Sequence, residues 1–171
     1  GLLASALQVI GCRSRSWLSW QLPIHSDDAF SKARITGIDT KELISSMENG
    51  EIAVIPGFQA LAPNGRITTL GRGGSDTSAV ALAAALNADH CDIYTDVEGI
   101  FTCDPRIVPS ARKLDQITYE EMLEMASLGA KVLQTRSVAL AMKYKVPIHV
   151  RSSFNNNVGT LVVDEEKIVE D

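Results

Sequence analysis

At 171 residues, 45% apolar and 22% charged, the chain is long enough to bury roughly 68–70% of its unfolded surface, which excludes a disordered or fibrous protein. A formal charge of -5, with no basic run and no basic stripe interleaved with aromatics, excludes nucleic acid as the main partner, and no uninterrupted apolar run spans a bilayer. Cys12, Cys91 and Cys103 have no metal-ligand spacing, and an odd count fits reduced thiols and a cytosolic protein better than a disulfide framework.

In chain order, Leu2 to Ile10 reads as a helix stopping at Gly11, without the basic flank or cleavage pattern of a signal peptide. Arg13 to Leu22 reads as a strand passing into a loop at Pro23. Asp39 or Thr40 caps a helix to about Asn49, and Gly50 offers a left-handed exit. Within Glu51 to Pro56, Ile52-Ala53-Val54-Ile55 is a continuous apolar run, the pattern of a strand covered on both faces. Pro63-Asn64-Gly65 sits between Leu61 and Arg66 to Leu70 as the turn of a hairpin.

Thr77 to Ala88 is apolar almost all round and predicts a buried helix, followed by a strand at Cys91 to Thr95 and a polar loop from Asp96 to about Leu114. Thr118-x-x-Glu121 has the form of a capping box opening a helix that ends near Gly129. A second helix is predicted from about Lys131 to Tyr144, then strands at Val146 to Val150 and Thr160 to Val163. Strands alternating with helices through short loops predict an α/β fold, a three-layer αβα sandwich with a largely parallel central sheet. The acidic stretch Asp164 to Asp171 reads as a boundary.

Three segments carry chemistry. Leu70-Gly-Arg-Gly-Gly-Ser-Asp-Thr-Ser78 is a glycine-rich turn feeding a helix start, where backbone amides and the macrodipole favour an anion and Arg72 adds a planar fork for a carboxylate or phosphate. The alternative is a tight loop in which Ser75 or Asp76 only caps the helix. Asp76 stands where a dinucleotide fingerprint needs glycine, there is no Gly-Lys-Ser/Thr of a P-loop, and Ser75 is not the centre of a nucleophile elbow. Next, Asp92 to Arg106 is a strand ending in a loop with Thr95, Asp96, Glu98, Phe101, Asp104 and Arg106, groups suited to ribose, a purine face and phosphate. A solvated loop whose aspartates make turns is the alternative. Last, Lys131 follows Gly129-Ala130 at a helix junction, where a lysine beside a nucleotide holds phosphates and otherwise lies on the surface. His25, His90 and His149 have no metal-binding spacing.

In this order, Pro56-Gly57-Phe58, Thr69 to Ala79, Tyr94 to Arg106 and Glu124 to Leu133 resemble the amino acid kinase family over essentially the whole chain and, within it, the aspartate kinases. The extended Gly-Arg-Gly-Gly-Ser-Asp-Thr string favours these over the acetylglutamate, glutamate, carbamate and uridylate kinases of the same family. The resemblance implies transfer of the ATP γ-phosphoryl group, with Mg2+ accompanying the nucleotide, to the side-chain carboxylate of L-aspartate, the first step toward lysine, threonine and methionine. It implies that Phe58, Arg72, Gly73, Gly74 and Ser75 bind aspartate, that Asp76 is catalytic, and that Thr95, Asp96, Phe101, Asp104, Arg106 and Lys131 contact ATP.

Residues 1–163 are then expected to be a partial kinase domain, incomplete at the amino terminus, and residues 164–171 a linker toward regulatory ACT domains. A homo-oligomeric, cytosolic parent enzyme is expected, with no nucleic-acid or membrane partner. The family's Lys-Phe-Gly-Gly segment and its substrate-binding glutamate do not occur in these 171 residues, so the piece alone is expected to be inactive. A non-catalytic subunit with a retained nucleotide loop is the reading from another class.

Overall fold

Short apolar runs bury themselves by pairing with partners distant in sequence, as the computed structural model shows for the residues it describes, 1–130 and 132–168. The chain divides into two compact units, Gly1–Leu86 and Asn87–Asp171.

In the first unit α1 (Leu2–Val9) packs on β1 (Ser14–Ser16), which pairs in parallel with β4 (Ile52–Val54). The predicted strand from Arg13 to Leu22 is cut short because the Gln21 N–H donates to the Leu18 carbonyl at 2.8 Å and the Leu18 N–H to Gln21 Oε1 at 2.9 Å, closing a turn. Pro23, expected in a loop, directly precedes β2 (Ile24–Ser26), a strand threshold at which proline costs no ladder bond. A mixed sheet runs in the order β3 (Ile35–Ile38), β2, β5 (Gln59–Leu61), β6 (Ile67–Thr69), and its β5–β6 hairpin is the one expected around Asn64-Gly65. α2 (Lys41–Glu48) starts after Thr40, whose side chain makes no capping hydrogen bond. Ile52 of β4 is 45% exposed, so the expected cover on both faces of that strand is not found in this unit.

Two apolar clusters hold the unit. Ile24, Ala33, Ala60 and Leu70 form one, and Trp17, Leu22 and Leu43 the other. Leu82 of α3 (Gly74–Ala85) packs against both, which explains why that helix is apolar on nearly every side. Leu82 is only partly buried, and fully buried Leu22, Leu43 and Leu70 each contribute about 1.5–3 kcal/mol to the clusters it packs against.

The second unit pairs β7 (Cys91–Thr95), β9 (Ile148–Ser152), β10 (Thr160–Val163) and β8 (Gln116–Thr118) in that order. β7 and β9 run parallel in unbroken register from Cys91↔Ile148 to Thr95↔Ser152, β10 runs antiparallel to β9, and β8 parallel to β10. α4 (Tyr119–Ser127) opens on the predicted capping box, packs against β8 and β10, and meets α5 (Thr135–Tyr144). α5 starts later than predicted because Gln134 is extended, at φ -85° and ψ 139°. A short 3-10 turn, Glu165–Lys167, follows β10. The expected α/β class is what these elements make, with parallel and antiparallel pairings mixed. Among the described residues no helix is long and apolar enough to cross a membrane.

Candidate functional site

The first loop cluster is built on the turn between β6 and α3. Leu70, fully buried, donates its N–H to the Phe58 carbonyl at 2.9 Å and so anchors the start of the turn. Gly71 has φ 75°, and a Cβ there would lie 2.9 Å from the Ser31 carbonyl oxygen, so only glycine fits. Gly73 is the left-handed N-cap of α3, with no side-chain capping bond. Capping therefore does not engage Ser75 or Asp76, against the alternative that they serve only as caps. They stand in the first helical turn, where amides lack intrahelical acceptors and the macrodipole favours an anion.

Arg72 and Ser75 are exposed and Asp76 is half-buried, and that burial holds the Asp76 carboxyl above its ordinary value of 3.8. Phe58, 43% exposed and left-handed at φ 73°, lies against Gly74, where an added Cβ would come within 2.7 Å of the ring. Phe58, Arg72, Gly73, Gly74, Ser75 and Asp76 are thus brought to one place.

The second cluster lies beyond the carboxyl end of β7, where ligands collect in α/β sheets. Thr95 Oγ1 donates to Asp96 Oδ1 at 3.2 Å, and Asp96 is exposed. The loop is pinned by buried Thr160, whose Oγ1 accepts the Ile100 N–H at 2.9 Å and donates to the Leu114 carbonyl at 2.5 Å. Phe101, half-buried, forms an antiparallel bridge with Lys113. Asp104 accepts the Arg106 N–H at 2.9 Å and its guanidinium at 3.1 and 3.0 Å, and this hydrogen-bonded carboxylate raises the Arg106 pKa further above its ordinary value. Asp104 thus closes a local turn with Arg106. Lys131 lies outside the described residues.

Residues missed by sequence reasoning are hydroxyls. Thr77 Oγ1 donates to the Gly73 carbonyl at 2.9 Å and Ser78 Oγ to the Gly74 carbonyl at 2.7 Å, while Ser78 Oγ also accepts the Phe58 N–H at 2.9 Å. A serine or threonine four residues after a loop glycine is a readable signal for the first contact, but the second joins distant segments. The three histidines form no group of three metal-binding side chains with acidic residues or cysteines among the described residues, and His25 and His149 lie against Asp39 and Asp92.

Residues 1–152 match the amino acid kinase family. "Aspartokinase 2" of Bacillus subtilis is 54% identical over 98% of the chain, and the "Aspartokinase" of Pseudomonas aeruginosa 54% identical over 99%. The chain spans about 41% of the length of these curated relatives. The crystal structure of E. coli aspartokinase III in complex with aspartate and ADP superposes with a TM-score of 0.88 at 35% identity, covering 95% of this chain and 37% of that one. The aspartate kinase of Synechocystis superposes at 0.83 with 46% identity, covering 99% of this chain and 27% of that one. With the family match reaching across both loop clusters, the chain belongs to the amino acid kinase family.

Proposed function

We propose that this chain is part of an aspartate kinase, with the glycine loop of the first unit holding the acceptor and the loop after β7 in the second holding ATP. The observation that carries the reading is the left-handed Gly73 cap, which leaves Arg72, the Ser75 hydroxyl and the Ser75 and Asp76 amides of α3 available to a carboxylate, while the Gly74 N–H closes the turn on the Gly71 carbonyl. E. coli aspartokinase III, whose complex contains aspartate and ADP, supports the substrate pair.

On this reading Arg72 and Ser75 bind aspartate, Phe58 walls the pocket, and Asp76 orients the reacting groups. The acceptor carboxylate is already ionised at neutral pH, so the attack needs no general base. An acceptor oxygen bonds to the γ-phosphorus as the bond to the β,γ-bridging oxygen breaks, leaving ADP. The main barrier is bringing two anions together, and each preorganised cation or amide contributes about 2.7–4 kcal/mol toward it. Thr95 and Asp96 face the ribose or the nucleotide's metal, Phe101 offers its ring to the purine, and Arg106, steadied by Asp104, and Lys131 meet phosphate. Mg2+ would arrive on the phosphates and supply charge neutralisation. Asp96 fits it as an exposed carboxylate, since this ion is commonly held by one or two carboxylates plus substrate phosphates. Homo-oligomerisation, ACT domains and the biosynthetic role belong to the complete enzyme in this proposal, and residues 164–171 to a linker.

The test is ADP release and hydroxamate formation by the full-length enzyme with L-aspartate, L-glutamate, N-acetylglutamate and UMP as acceptors. Turnover is expected with aspartate alone, and none from the 171-residue chain by itself. Turnover with another acceptor in preference to aspartate would overturn the assignment.

A further inference from the structure

We infer that Ser78 is a positioning residue for the acceptor subsite: its hydroxyl straps the Phe58 segment to the first turn of α3. The inference rests on the acceptor reading of the glycine loop. A serine in a helix commonly donates to the carbonyl four residues back, as Ser78 does to Gly74 and as its neighbour Thr77 does to Gly73. Of these two hydroxyls Ser78 alone uses its oxygen a second time among the bonds described, accepting the Phe58 N–H from another segment at 2.9 Å.

That bond holds a backbone that needs holding. Phe58 is a non-glycine residue at φ 73°, a conformation that persists only where its surroundings over-determine it. Its N–H goes to Ser78 and its carbonyl accepts from Leu70, so both peptide groups are fixed to the two ends of the glycine turn. The contact is also close. A Cβ on Gly57 would lie 3.2 Å from Ser75 Cα, and one on Gly74 would lie 2.7 Å from the Phe58 ring. Ser78 itself is 1% exposed, so it touches no ligand, and its influence reaches the acceptor only through where Phe58 and Ser75 stand. Without the strap, the Phe58 N–H loses its acceptor and the strained residue is free to relax away from Ser75 and Gly74.

The experiment compares Ser78→Ala with Ser78→Thr in the full-length enzyme, reading aspartate and ATP kinetics together with amide hydrogen exchange of the peptide containing Phe58. In Ser78→Ala the aspartate KM is expected to rise about 5- to 20-fold, with the ATP KM within about two-fold and faster exchange at Phe58. Ser78→Thr, which keeps the oxygen, is expected to restore both readouts. If Ser78→Ala does not fold, Ser78→Cys carries the same expectation, because a thiol is nearly isosteric but a weak hydrogen-bonding group.

Faster exchange with an unchanged aspartate KM would make the strap merely structural and overturn the proposal. So would an ATP KM rising in parallel with that of aspartate. A wild-type enzyme inert toward aspartate would instead overturn the acceptor reading, and with it this role.

Discussion

On the proposed assignment, Asp76 is a side chain kept for chemistry at the expense of folding. Burial holds its carboxyl above 3.8, so the folded state retains the proton more tightly than the unfolded state. The sign follows: its stabilising contribution is complete below 3.8 and lost as pH rises through the higher folded-state value, leaving the ionised form a cost at neutral pH. Asp76→Asn removes that charge while keeping the shape. It is expected to raise the thermal midpoint at neutral pH and to lower kcat about 10²- to 10³-fold, the trade found where a strained or desolvated group is kept for function. Differential scanning fluorimetry beside the ADP-release assay checks both halves, and a lower midpoint would contradict the first.

Burial disfavours the charged form of His149 as well, but for a base this lowers the pKa, so the pH dependence has the opposite sign. Its imidazolium is disfavoured first by burial, with Arg151 and His90 adding repulsion and Asp92, 3.2 Å from Nδ1, opposing them. A folded value below 6.5 means stability present above 6.5 and lost as pH falls toward that folded value. His149→Gln is expected to flatten the decline of the urea midpoint between about pH 7.5 and pH 5. Equal slopes in the two proteins would show that the acid sensitivity lies elsewhere.

At the scale of elements, α4 is the helix whose start was most legible. Thr118 and Glu121 form a reciprocal capping box, the Glu121 N–H donating to Thr118 Oγ1 at 3.1 Å and the Thr118 N–H to Glu121 Oε2 at 3.0 Å. Thr118→Ala is expected to cost about 1 kcal/mol in urea denaturation, with no change in substrate KM if the cap acts only on the helix. Such signals are readable because cause and effect lie within four residues. The buried α3, the β5–β6 hairpin and the strand Cys91–Thr95 were legible for the same reason.

β2, β3 and β8 were not, being three or four residues long with apolar and polar groups mixed, as in Ile35-Thr36-Gly37-Ile38. Pairing with a distant strand, not local pattern, makes them strands. The same division runs through the site. Gly71 to Asp76 announce a glycine-rich turn at a helix start by composition, whereas the Ser78–Phe58 bond spans 20 residues and is visible only in three dimensions. Asp104 and Arg106 are expected to contact ATP, Arg106 through phosphate, and the two also close a local turn on each other, which composition does not reveal.

For the whole molecule, the two candidate loops fall in different compact units of the chain, the residues proposed for the acceptor ending at Asp76 and those proposed for the nucleotide beginning at Thr95. If the proposed assignment holds, one substrate's affinity can be damaged without the other's, since Arg72 and Asp96 belong to different compact units. Steady-state kinetics of Arg72→Ala in the full-length enzyme, with aspartate and ATP varied in turn, measure this directly. The aspartate KM is expected to rise and kcat/KM for aspartate to fall about 10²-fold or more, the size of losing one preorganised cation, while the ATP KM stays within about two-fold. A collapse of ATP affinity with aspartate saturation unchanged would contradict the assignment of the glycine loop to the acceptor.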